Sequence, residues 1–112
     1  MNVIVAGHRY MLENFEQAGK DGQTIRFIHK EPVSKGSLTL KTMEDGTTNE
    51  EVITVLIDRM NYLQKKMPCK NNEVVIKNLT ASLALLQDRT AKRIVAKVEG
   101  TNAPGEVSEE KK

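Results

Sequence analysis

Two amphipathic stripes separated by a four-residue turn constrain this chain more than anything else in it. Val52, Leu56, Met60, Leu63 and Met67 recur every three or four residues, and Ile53 and Ile57 widen the stripe. Val75, Ile76, Leu79, Leu83 and Leu86 repeat the pattern after Met67-Pro68-Cys69-Lys70. That spacing puts apolar side chains on one face of a helix. Pro68 cannot continue a helix, and the residue before a proline is pushed out of helical geometry. Two long helices joined by so short a loop must fold back as an antiparallel hairpin. Thr48-x-x-Glu51 is a capping box that starts the first helix. Asn71 or Asn72 is expected to cap the second.

The residues before Asp45-Gly46 follow a different rule. Val3-Ile4-Val5 reads as a frayed strand or a tag-like lead, and His8 to Phe15 alternates partially. Gly19 to Gly22 forms a turn cluster. Thr24 to Lys30, rich in β-branched and aromatic residues, reads as one continuous strand. Ser34-Lys35-Gly36 fits a hairpin loop, after which Ser37 to Met43 returns with Leu38 and Leu40 on one face. The sequence therefore predicts an α+β fold: a small N-terminal antiparallel β-sheet followed by a C-terminal antiparallel helical hairpin. The expected division is residues 1–45 for the β part, 46–100 for the hairpin and 101–112 for a disordered tail. That tail carries Pro104, Gly105 and a Glu-Glu-Lys-Lys end and has little to bury. Gly100 is the expected helix stop. One compact domain is expected from the 112 residues.

Composition narrows the function. A formal charge of +2 is too small for a polymeric nucleic-acid binder, which needs a dense basic stripe. The single cysteine, Cys69, rules out an intrachain disulfide and a four-cysteine zinc site. With two histidines far apart, no metal-ligand spacing is recognisable, so no metal site is expected. Met1 to Ala6 is too short and uncharged for a signal peptide, and no apolar run approaches membrane-spanning length. These features predict a cytosolic protein away from membranes.

What chemistry remains lies on the hairpin. Arg89 and Arg93 are four apart and project from one helix face. Beside Lys92 and Lys97 they read first as charges that complement the helix dipole. As a pair of guanidinium forks they could hold phosphates bidentately, which lysine cannot do. Tyr62 sits beside the apolar stripe, either as a boundary residue with a wet hydroxyl or as a stacking face. Asn72 is either a cap or a partner for an adenine edge. Tyr10 and Arg26 are further candidates on the β part. Asp45, Glu50, Glu51 and Asp58 read as loop and solvent-face charges, and nothing pairs them into an acid–base couple. No catalytic residue and no cofactor is expected.

Several strings also resemble a known family. Gly46-Thr47-Thr48-Asn49-Glu50-Glu51-Val52, Leu56-Ile57-Asp58-Arg59, Pro68-Cys69, Leu79, Arg89-Thr90-Ala91, Arg93 and Val98-Glu99-Gly100-Thr101 follow one another in this order. Their order and spacing resemble the Thoeris anti-defence protein 1 family of bacteriophages, whose helical hairpin is shared with anti-CBASS sponge proteins. His8-Arg9-Tyr10, Asn14-Phe15-Glu16 and Gly22-Gln23-Thr24-Ile25 are similar to its N-terminal half. The resemblance spans Ala6 to Thr101. It departs from the family at Met67, Lys70, Asn71, Leu85 and Lys92.

The resemblance implies a sponge working in the host cytoplasm. Such a protein binds a cyclic ADP-ribose isomer made by Thoeris TIR proteins and sequesters it without degrading it. Some members also bind cyclic di- or trinucleotides at separate sites. Members form homodimers, and in some cases homohexamers, with the signal between subunits. By the same resemblance Tyr62, Asn72, Arg89 and Arg93 are the ligand-binding residues. A small phosphodiesterase and a protein–protein adaptor built on the hairpin are the competing readings.

Overall fold

The structure is a computed structural model that describes residues 1–95, and the side chains of 1–94. The expected Gly100 stop and the 101–112 tail lie outside the described residues. The chain divides into two compact units between Thr48 and Asn49. The first is β and the second helical, so the fold is α+β, with antiparallel sheets followed by a helical hairpin.

The β unit holds five strands: β1 (Asn2–Val5), β2 (Arg9–Glu13), β3 (Asp21–Arg26), β4 (His29–Pro32) and β5 (Leu40–Glu44). They form two sheets where the sequence suggested one. One is three-stranded in the order β1-β2-β3, and the other is the β4-β5 hairpin. All three strand pairs are antiparallel. The expected single strand over Thr24 to Lys30 is broken at Phe27-Ile28. There the backbone changes partners. The Phe27 N–H donates to the His8 carbonyl at 2.7 Å, and the Ile28 N–H to the Thr47 carbonyl at 2.8 Å. A β-branched run satisfies its backbone in either sheet, so composition alone could not locate the switch. Gly46 sits where this crossing is tightest. A Cβ there would come within 2.6 Å of the Arg26 carbonyl oxygen. Leu38, expected beside Leu40 on the last strand, instead lies in the preceding loop, 58% exposed.

Side chains join the two sheets. The imidazoles of His8 and His29 stack with centroids 3.7 Å apart. Arg9 on β2 donates from its single Nη2 nitrogen to both carboxylate oxygens of Glu44 on β5, at 2.7 and 2.6 Å. Arg26 approaches the same carboxylate at 3.5 Å. The hydrogen bond from Arg9 holds the Glu44 carboxyl below its ordinary range. Burial opposes that shift, while the charges of Arg9 and Arg26 add to it.

The helical unit is α1 (Asn49–Lys66) and α2 (Lys70–Val95). Helix α1 starts immediately after Thr48, which puts Thr48 at the N-cap and Glu51 at the third helical position. Helix α2 starts two residues after Pro68, and its cap differs from the expected asparagine. The Asn72 N–H donates to Cys69 Sγ at 3.4 Å, so Cys69 is the cap and Asn72 already lies in the first turn. Gln64 pins the turn from below. Its amide accepts from the Cys69 N–H at 3.1 Å and donates to the Cys69 carbonyl at 3.2 Å.

The seam between the helices follows an alternating three–four spacing. On α2 the half-buried positions are Asn72, Ile76, Leu79, Leu83, Leu86, Thr90 and Arg93. On α1 they include Glu50, Ile53, Ile57, Met60 and Gln64. Such spacing is that of a left-handed coiled-coil seam. Leu56 and Met67, expected in the principal stripe, are 43% and 77% exposed. No described residue anywhere in the chain is fully buried.

Candidate functional site

The hairpin presents its candidate residues at two ends. Tyr62 and Asn72 flank the turn. Tyr62 is 58% exposed, and Lys66, one helical turn on, holds its ammonium 5.2 Å from the ring centroid. Asn72 is half-buried at the start of the α2 seam. Because Cys69 takes the capping role, the Asn72 side chain is not spent on it.

Arg89 and Arg93 lie toward the other end of α2. Arg89 is exposed, while Arg93 is half-buried on the same stripe as Asn72. Neither guanidinium forms an ion pair with any described residue. Their neighbour Lys92 is different: it pairs with Asp88 at 3.0 Å, one turn back. The cation between the two arginines is thus neutralised locally, whereas the arginines themselves stay unpaired among the described residues.

This end of the seam also corrects one expectation. Glu50 is not a simple solvent-face charge. It is half-buried, and its Oε2 accepts a hydrogen bond from Thr90 Oγ1 at 3.0 Å. The pair fixes the antiparallel register of the helices, at the end opposite to the Gln64–Cys69 tie. Glu50 and Lys66 were the residues missed by reading the sequence. Lys66 has a signal, its i, i+4 spacing from Tyr62. For Glu50 the signal is the three–four spacing Glu50, Ile53, Ile57, Met60, Gln64.

The two groups of candidates are far apart within one chain. At a rise of 1.5 Å per residue, Asn72 and Arg89 are separated by roughly 25 Å along α2, and Asn72 and Arg93 by about 30 Å. The structure therefore brings Tyr62 to the same end as Asn72, and Arg89 to the same end as Arg93, but does not bring the two pairs together.

On the β unit, Arg26 is partly neutralised by Glu44, and Tyr10 packs edge-on against Phe27 with centroids 6.0 Å apart. Among the described residues no group of His, Cys, Asp and Glu could hold a metal ion. No described helix is long and apolar enough to cross a membrane.

No family model matches the chain, and no solved structure matches it. The chain is similar to a curated protein of Bacillus phage SBSphiJ7, Thoeris anti-defense 1, with 37% identity over 59 residues. That stretch is 52% of this chain but only 42% of the phage protein, so the likeness spans less than half of its relative.

Proposed function

We propose that this chain is a phage anti-defence sponge, a non-catalytic protein that binds a cyclic ADP-ribose isomer in the host cytoplasm and keeps it from its receptor. The observation that carries the reading is the pair of guanidiniums, Arg89 and Arg93, unpaired among the described residues, around a lysine that already has its carboxylate. An unpaired arginine pair is a ready receptor for a diphosphate, and each charge-assisted bond contributes about 1.5–3 kcal/mol. Tyr62 supplies a ring face for the adenine, worth about 1–3 kcal/mol by analogy with base stacking on aromatic residues. Asn72 supplies an amide for the base edge. The likeness to a phage protein named for opposing Thoeris supports the signal class.

The separation of the two pairs gives the reading a definite form. A cyclic ADP-ribose isomer cannot span roughly 25 Å of helix. Two hairpins packed antiparallel bring the turn end of one against the Thr90 end of the other. Tyr62 and Asn72 of one copy then face Arg89 and Arg93 of its partner, and two equivalent sites form per dimer. The exposed apolar side chains of the hairpin, Val55, Leu56, Val75 and Leu85 among them, are the surface such packing would cover. Cyclic di- and trinucleotides share the phosphate and base chemistry and belong to the same ligand class.

Incubation with the isomer followed by heat denaturation tests the sponge. The ligand should leave solution on mixing and return chemically intact on heating. Recovery of a linear or hydrolysed product would make the protein a hydrolase instead. Calorimetry should also give a clear binding heat for wild type and a much smaller one for Arg93→Ala.

A further inference from the structure

Glu50 has no role in the site as drawn so far, yet its carboxylate is tied to Thr90, on the stretch of α2 that carries both arginines. Thr90, which fixes its Oε2 at 3.0 Å, is the sequence neighbour of Arg89 and lies one turn before Arg93. A carboxylate at that place repels phosphate, and among the described residues it forms no ion pair with either arginine. Tying the helices needs only an acceptor for Thr90, which a neutral amide provides equally well. Complementing the dipole of α1 is a task that Glu51 also performs from the same turn.

A fixed, negatively charged acceptor beside a phosphate clamp suits a ligand that carries donors close to its phosphates. Ribose hydroxyls are such donors. An acidic side chain accepts from them in dinucleotide sites for the same reason. Thr90 occupies one lone pair of Oε2, so Oε1 keeps its full accepting capacity. We infer that Glu50 is a specificity-determining residue of the arginine end, accepting ribose hydroxyls while Arg89 and Arg93 hold the adjoining phosphates. This rests on the sponge reading above. It adds that the site selects ribosylated diphosphates against bare ones: the carboxylate rewards the sugar and penalises pyrophosphate alone.

The two effects have opposite signs, which a purely structural role for Glu50 does not produce. Wild type and Glu50→Gln are titrated calorimetrically with a cyclic ADP-ribose isomer and, separately, with inorganic pyrophosphate. The variant keeps an acceptor for Thr90. It should bind the isomer about tenfold more weakly, the difference between a charged and a neutral acceptor. It should bind pyrophosphate about threefold more tightly, since a like charge several ångströms away is gone. Both affinities moving together, or neither moving, would reduce Glu50 to a helix tie. Should Glu50→Gln not fold, Glu50→Asp keeps the charge but draws it back. The isomer should then weaken while pyrophosphate is unchanged, and equal isomer affinity would overturn the assignment. Wild type that binds no isomer at all overturns the sponge reading together with this one, an outcome distinct from loss of discrimination alone.

Discussion

If each site is built from two copies, damage at one end of the hairpin should be rescued by damage at the other. Two double variants test this, Tyr62→Ala/Asn72→Ala and Arg89→Ala/Arg93→Ala. In a dimer of the second variant every site lacks both guanidiniums. At about 1.5–3 kcal/mol for each, affinity falls by roughly two to four decades. In a dimer of the first, every site lacks the stacking face and the amide, a loss of about 2–4 kcal/mol. A mixed dimer differs from both. One of its sites receives all four native side chains, and the other receives none. Co-refolding equal amounts gives half mixed dimers by random reassortment, so roughly a quarter of all sites regain native affinity. The assay is calorimetric stoichiometry with the isomer, with differently tagged chains used to verify that mixed dimers form. Mixed dimers without any recovered tight sites would refute the arrangement. Residues roughly 25–30 Å apart along the hairpin, too far to share one ligand within a copy, would then not form the site.

Three further outcomes follow from the fold. On the proposed dimer reading, a chain with no described residue fully buried gains stability from association, so its melting temperature should rise with protein concentration; one that is constant over a hundredfold dilution would contradict this. Glu44→Gln should lower the melting temperature at neutral pH, because Arg9 holds the folded-state carboxyl below its ordinary value of 4.5. That contribution is complete above the unfolded value and is lost as pH falls through the lower folded value, so the gap between variant and wild type should close in acid, and a gap independent of pH would count against the pair. Gln64→Ala removes both hydrogen bonds to the Cys69 backbone and should cost about 1–3 kcal/mol in urea unfolding, with an unchanged midpoint counting against the tie.

What could be read in the sequence was whatever local rules decide. The Thr48-x-x-Glu51 start and the Pro68 stop involve neighbours within one turn, so they place the helices without any tertiary knowledge. The Cys69 cap was not legible, because asparagine is the stronger capping residue and two of them follow. The break at Phe27-Ile28 was not legible either. Thr24 to Lys30 has one strand-like composition throughout, and only the carbonyls of His8 and Thr47, distant in sequence, decide where it changes sheets. For the candidate site, residue type and spacing suffice to pick out Arg89 and Arg93 as a fork. They do not give the pairing of Lys92 with Asp88, which distinguishes the arginines from an ordinary basic last turn.

The hairpin is more apolar than a two-helix seam requires, and this bears on why the candidate residues lie at its ends. Ile53, Ile57 and Met60 of α1 and Ile76, Leu79, Leu83 and Leu86 of α2 fill the middle of the seam. Polar ties close it at both ends, Gln64 with Cys69 and Glu50 with Thr90. A second set, with Val55, Leu56, Val75 and Leu85, remains exposed. Apolar side chains left exposed outside the seam favour a partner of their own, since the partner of the seam is already supplied by the hairpin. Covering the second face with another hairpin buries its middle, while the ends stay at the rim, where polar groups remain accessible. Tyr62, Asn72, Arg89 and Arg93 lie toward those ends. On the proposed reading, apolar association therefore assembles the site without occupying it, and the ligand, touching both copies, in turn stabilises the dimer that binds it.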